Sequence, residues 1–256
     1  ITIIHDITIT TGDSGYGLVV SGDDHITGTD DNEDAILTVY DATIDASVCF
    51  GTNASDGLYA GFTMNILGGT YTGEYGIYCP GYGVYNISGG HFYNDSACIQ
   101  IAAGILNISG DAILETDVAS NTPGVVNGAI DSEGVLVIGK ANQYYIGDID
   151  VNITGGTLRN NNPGGDSIVM YDSSMGHDVF KDNTISVDLT GGEVTGDVKI
   201  VSKQTFSDNA QTNPVPKNSE KLSFTLDGAT VNGDISMDEG MRTTVDVSSG
   251  VFNGTY

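Results

Sequence analysis

The sequence has no tryptophan, and it has no lysine or arginine before Lys140. Its 8 basic residues face 34 acidic ones, giving a formal net charge of -26. A surface of that sign repels phosphate backbones, so nucleic acid is excluded as an expected partner. Anionic membranes are disfavoured for the same reason. No apolar run approaches the roughly 20 residues of a bilayer span, so direct membrane insertion is not expected. Long stretches with helical periodicity are also missing. Cysteine is scarce: Cys49, Cys79 and Cys98 have no metal-ligand spacing, and an odd number is no disulfide framework. They read as small buried apolar residues, with a Cys79–Cys98 bond between neighbouring repeats as the open pairing. The chain begins at Ile1 without methionine or a signal-like segment, so it reads as a piece of a longer protein.

What is abundant is glycine, with 36 residues, together with strand and turn formers. The phrases NILGGTY from Asn65, NISGGHF from Asn86 and NISGDAI from Asn107 start 21 residues apart. Taking the first turn residue of each repeat as an anchor gives Asp41, Gly68, Gly89, Gly110, Gly139, Gly155, Gly191, Gly228 and Ser249. Four and two residues before every anchor the side chain is apolar, as in Met64 and Ile66 or Tyr85 and Ile87. Between them lies a mostly polar column that includes Asn65, Asn86, Asn107 and Asn152. Apolar, polar, apolar is the signature of a strand with one face inward. Glycine or aspartate then turns the chain. A second strand follows, with an apolar residue three after the anchor: Ile44, Tyr71, Phe92, Ile113, Leu158, Val194, Val231 and Phe252, with Asn142 as the break. Many repeats add a second turn and a third short apolar segment, such as VKIV at 198–201.

Repetition of this length predicts stacked repeats whose apolar edges are buried only by their neighbours. The expected architecture is all-β. It is a single domain over 1–256, a solenoid of about nine or ten coils. The interval from Gly139 to Gly155 is only 16 residues, so one of these anchors is suspect. Four longer intervals hold inserts at 21–35, 116–134, 171–183 and 202–221. They are expected at one phase of the coil, hence on one face, which becomes the default binding face.

The repeated string of Asn or Asp, an aliphatic residue, Ser or Thr, Gly-Gly and an aromatic or aliphatic residue resembles the repeats of adhesin-like surface proteins of bacteria and archaea. The resemblance runs from about Leu37 to Phe252. It implies a right-handed parallel β-helix, an extracellular or cell-surface location, and a module within a larger chain. It implies adhesion to a host glycan or surface protein rather than a particular chemistry, because the fold hosts many functions.

Three candidate chemistries remain. The segment DDNED offers Asp30, Asp31, Asn32 and Asp34 as oxygen ligands, and hard cations such as Ca²⁺ take six to eight oxygens. It lacks EF-hand spacing, so a solvated acidic loop stays open as the alternative. Seven of the 13 tyrosines lie between Tyr59 and Tyr93. Tyr71 and Tyr85 fall on inward columns. Tyr75, Tyr78, Tyr82 and Tyr93 are less constrained and are the candidate ligand-binding residues, since exposed tyrosine stacks on sugar rings. Thr43, Thr70, Thr157 and Thr230 share one outward column. That column also holds His91, Ala112 and Glu193, whose bulk and charge rule out a flat ice-binding lattice. For catalysis, the arginines are only Arg159 and Arg242, and the repeat sets them far apart. No histidine shares a local motif with a nucleophile. The sequence therefore reads as a binding module without a catalytic constellation, with a β-helical polysaccharide lyase or glycoside hydrolase as the alternative.

Overall fold

A computed structural model describes residues 1–12, 14–23, 35–52, 60–121, 124–126, 129–139, 147–171, 184–201, 222–238 and 243–256. Among the described residues the regular structure is all strand. Twenty strands join one sheet through parallel pairings, and a separate antiparallel pair links Gly124–Val126 to Ala129–Asp131.

The parallel pairings sort into three ladders. The first runs from Thr2–Ile4 through Ala35–Val39, Phe62–Ile66, Gly83–Ile87 and Gly104–Ile108. It continues through the opening halves of Ile149–Asn160, Ile185–Thr195, Leu222–Asn232 and Thr244–Phe252. The second starts at Ile7–Thr10 and Ala42–Asp45. It takes in the opening parts of Thr70–Cys79 and His91–Ile101, then Ile113–Thr116, then the closing halves of the same long strands. The third joins Tyr16–Val20, Val48–Thr52, the closing parts of Thr70–Cys79 and His91–Ile101, Gly134–Ile138, Asp166–Tyr171, Asp197–Val201 and Ile235–Met237. The chain visits the first ladder, then the second, then the third, and returns to the first.

Period two explains what lies inside. Ile66, Ile87, Ile108 and Ile153 stand in register on successive strands, and all are fully buried. Met64, Tyr85, Leu106 and Val151 do the same two residues earlier. Each fully buried side chain of this kind contributes about 1.5–3 kcal/mol of transfer free energy. On the second ladder Tyr71 packs between Phe50 and Phe92, with ring centroids at 4.9 and 4.5 Å. The polar column points the other way and forms a hydrogen-bonded row. Asn86 Nδ2 donates to Asn65 Oδ1 at 2.9 Å, Asn107 Nδ2 to Asn86 Oδ1 at 2.8 Å, and Asn152 Nδ2 to Asn107 Oδ1 at 3.0 Å. NISGG is therefore a structural beat: isoleucine inward, asparagine laddered, glycine at the corner.

Four expectations need correction. Gly139 is no anchor of the first ladder, because Gly134–Ile138 pairs with 97–101 and with Asp166–Tyr171 on the third. The missing pass is at the N-terminus, where Ile4 pairs with Val39 and Asp6 makes the turn at φ 49°. In the second ladder Phe92 pairs with Leu114, not Ile113. Leu114 is fully buried and Ile113 is 38% exposed, since the turn at Gly110 and Asp111 holds one more residue than its neighbours. The inserts do not share one phase. Strand positions put 21–34, 172–183 and 202–221 between the third and first ladders, but 117–133 between the second and third. Finally, the three cysteines are free and buried. Cys79 pairs in register with Ile101 rather than Cys98. Cys49 Sγ donates to Thr72 O at 3.2 Å and Cys98 Sγ to Glu115 O at 3.1 Å. Burial pushes the Cys49 thiol up to about 12, so it stays protonated and inert.

Candidate functional site

The acidic cluster Asp30, Asp31, Asn32 and Asp34 lies outside the described residues. Among the described residues no group of three or more His, Cys, Asp or Glu side chains is placed to hold a metal ion. The calcium expectation for this segment is tested in solution. If DDNED binds Ca²⁺, millimolar calcium raises the melting temperature through selective binding to the folded state, and the Asp30→Asn, Asp31→Asn double mutant loses that rise. Identical melting curves with calcium and with chelator reduce the segment to a solvated loop.

The four candidate tyrosines do not form one surface. Tyr75 and Tyr78 stand on the third ladder and are half-buried, Tyr75 against Ala97, Val137 and Tyr171. Tyr82 precedes Gly83–Ile87, with its ring against the Gly147 backbone, where an added Cβ would meet Cδ2 at 2.3 Å. Only Tyr93 is exposed, on the second ladder. Tyr71 and Tyr85 are core residues, as their columns predict.

Around Tyr93 the register assembles a cluster that no local motif announces. His91, Ile113 and Thr157 are neighbours on one outward column of the second ladder, and Tyr93, Glu115 and Arg159 on the next. The Glu115 carboxylate receives Arg159 Nη1 on one oxygen at 2.8 Å and lies 2.9 Å from His91 Nε2 with the other. Glu115 is the sheltered member, its side chain 16% exposed against 44% for His91 and 43% for Arg159. Tyr93 donates its hydroxyl to Asp117, which pushes the phenol up and keeps it a donor. Beyond Arg159 the outward column continues through Thr195, Asn232 and Asn253. Asn232 Nδ2 donates to Glu193 Oε1 at 3.0 Å.

Two grooves flank the cluster where the second ladder turns into the third. One, of about 430 Å³, is lined by Arg159, Asn161, Asn162, Thr195, Asp197 and Asn232 among others. The other, of about 340 Å³, is acidic, with Asp45, Glu74 and Asp95. The segment beside Asp117 is fixed from below. Asn160 Nδ2 donates to Val118 O at 3.0 Å, and Ser120 donates to the buried Asp166 carboxylate, which also faces Lys199 Nζ at 3.5 Å. Burial raises the Asp166 pKa, and Ser120 and Lys199 offset part of the shift. A buried carboxylate without those partners would be costly, so the segment next to Asp117 is held in place.

Chemically the face presents amide, hydroxyl, guanidinium and imidazole groups beside an exposed aromatic ring, on a rigid sheet with strands roughly 4.8 Å apart. Cys98 lies beneath this face, donating to Glu115 O, and burial raises its pKa and keeps the thiol protonated, so the face presents no sulfur nucleophile. Comparison with family models, with curated proteins and with solved structures finds no match.

Proposed function

We propose that the chain is a binding module, a right-handed parallel β-helix displayed outside a cell, that recognises a glycan on the outward face of its second ladder. The observation that carries this reading is the meeting of Tyr93, His91, Glu115 and Arg159 on that face, beside the open groove that Arg159 lines. Sugar recognition combines an aromatic surface with planar hydrogen-bonding groups, and this face supplies both. Stacked repeats offer a long rigid platform, and many copies on one surface multiply weak contacts. The net charge of -26 disfavours dense polyanions as ligands.

The cluster also supplies the acid–base groups that the alternative, a polysaccharide lyase or hydrolase, would use: Glu115, Asp117, His91 and Tyr93. One experiment separates the readings. A glycan array and a mucin-binding assay are run beside a reducing-sugar and unsaturated-product assay on the same polysaccharides. The expected result is binding without product, and binding weakened about tenfold by Tyr93→Ala, the loss of one good aromatic contact. Product formation abolished by Glu115→Gln would replace the binding module with the enzyme.

A further inference from the structure

We infer that Arg159 is the anchor for a single carboxylate-bearing sugar, set between neutral sugars, on the glycan-binding face. The inference rests on the glycan reading and adds the charge of the ligand.

Among the described residues the only lysines and arginines are Lys199 and Arg159. Lys199 is spent on the buried Asp166 and on Ser120 and Asn121. Arg159 is different. Its guanidinium carries five donors in a fixed fork, and Glu115 takes one of them, through Nη1. The side chain is 43% exposed and lines the larger groove. Glu115 is already shared with His91, so part of its charge is answered from the other side. A guanidinium fork has further donors that can hold a carboxylate in two parallel hydrogen bonds, and Arg159 stands at the groove where such a ligand would reach it.

The groove limits how much negative charge can follow. Asp197 lines it and Glu193 stands on the neighbouring column. A second carboxylate one sugar along would meet these acids, whereas Thr195 and Asn232, next on the column, suit hydroxyls. The strand step of roughly 4.8 Å is close to the length of one pyranose ring, so neighbouring sugars can meet neighbouring strands. The site selects one acid in a neutral chain.

The test is isothermal titration of the full chain with a matched pair: a neutral oligosaccharide capped by one uronic acid, and the same compound with its carboxyl reduced to an alcohol. The acid is expected to bind about tenfold tighter, a common size for a bidentate charge-assisted contact. In Arg159→Gln the ratio of the two affinities falls to about one. Glu115→Gln keeps an acceptor for Arg159 and removes the competing charge, so the ratio rises. That rise is a response a merely structural Glu115 would not give, and it stands even if Arg159→Gln fails to fold. Equal binding of acid and alcohol by the native protein overturns the acid site and leaves the glycan reading intact. A ratio that drops in Glu115→Gln also overturns it. Binding of neither compound, with a blank glycan array, overturns the glycan reading itself.

Discussion

Replacing Ile87 with aspartate should unfold the protein or bring it to the edge of unfolding. Ile87 is fully buried between Ile66 and Ile108, its register partners on the two adjacent strands. A carboxylate there has no polar partner, and burying an unpaired charge costs several kcal/mol even after it neutralises by taking up a proton. Domain stabilities are only about 5–15 kcal/mol, so a loss of that size is a large share of the total. In a stacked sheet the damage spreads, because each pass of chain is held only by its two neighbours. Urea titration followed by far-UV circular dichroism measures it. Ile87→Val is the control, at about 0.5–1.5 kcal/mol. An Ile87→Asp protein within 1 kcal/mol of native, by the same linear extrapolation, would contradict the inward stacking of the isoleucine column.

The second large effect is expected at Gly73, the corner between the second and third ladders. Its φ is +130°, and a Cβ added there would lie 1.8 Å from the Ala46 carbonyl oxygen. That oxygen belongs to the neighbouring backbone and not to a side chain that could swing aside. Gly73→Ala therefore combines a disfavoured backbone conformation with a collision between main chains, and should cost about 3 kcal/mol or more. Two other glycines separate the contributions. Gly164, at φ +75°, has nothing within 4 Å of an added Cβ, so Gly164→Ala reports the conformational cost alone, about 1–2 kcal/mol. Gly12 has neither a positive φ nor a neighbour within 4 Å, so Gly12→Ala should fall within about 0.5 kcal/mol of native. Equal effects at Gly73 and Gly12 would mean that the corner is not as tight as described.

These residues also show where reading the sequence succeeds. The Ile66, Ile87 and Ile108 column and the asparagine row beside it are legible because one face of the first ladder is buried and the other is not. Period two then writes itself into the chain. The third ladder gives no such signal. Val48–Thr52, Gly134–Ile138 and Asp166–Tyr171 are buried at every residue, so alternation vanishes. The run VLVIG at 135–139 looks like a first-ladder strand followed by its corner for that reason.

The candidate site was hidden by a slip of one residue. Placing Ile113 on the inward column reverses the parity of everything after it in that strand. Glu115 then falls out of step with His91 and Tyr93, although the true register sets Tyr93 opposite Glu115. Arg159 lies 44 residues beyond Glu115 in the chain, so no local spacing relates them. A sequence signal did exist: ETDV after Leu114 and RNNN after Leu158 place Glu115 and Arg159 at matching offsets once Leu114 is taken as the core residue. The tyrosines are hard to sort for a different reason. Tyrosine has an apolar ring and a polar tip, so its type alone does not distinguish the half-buried Tyr75 from the exposed Tyr93.

The placement of the cluster gives function a physical setting. In a chain this acidic, an exposed guanidinium is a rare feature, and the fold sets Arg159 against Glu115 at mid-length rather than at an end of the ladder. The Asp166, Ser120 and Asn160 contacts brace the segment next to Asp117, so under the proposed binding role that part of the face is held before a ligand arrives. Preorganisation of this kind spares the entropy that ordering the face would cost on binding.

The most direct test is a crystal structure of the complex with the tightest glycan from the array. The ligand should lie along the outward face of the second ladder, one sugar on Tyr93 and one within hydrogen-bonding distance of Arg159, extending toward Thr195 and Asn232. A ligand seated on the third ladder, or bound through 202–221 with Tyr93 and Arg159 untouched, would contradict the account.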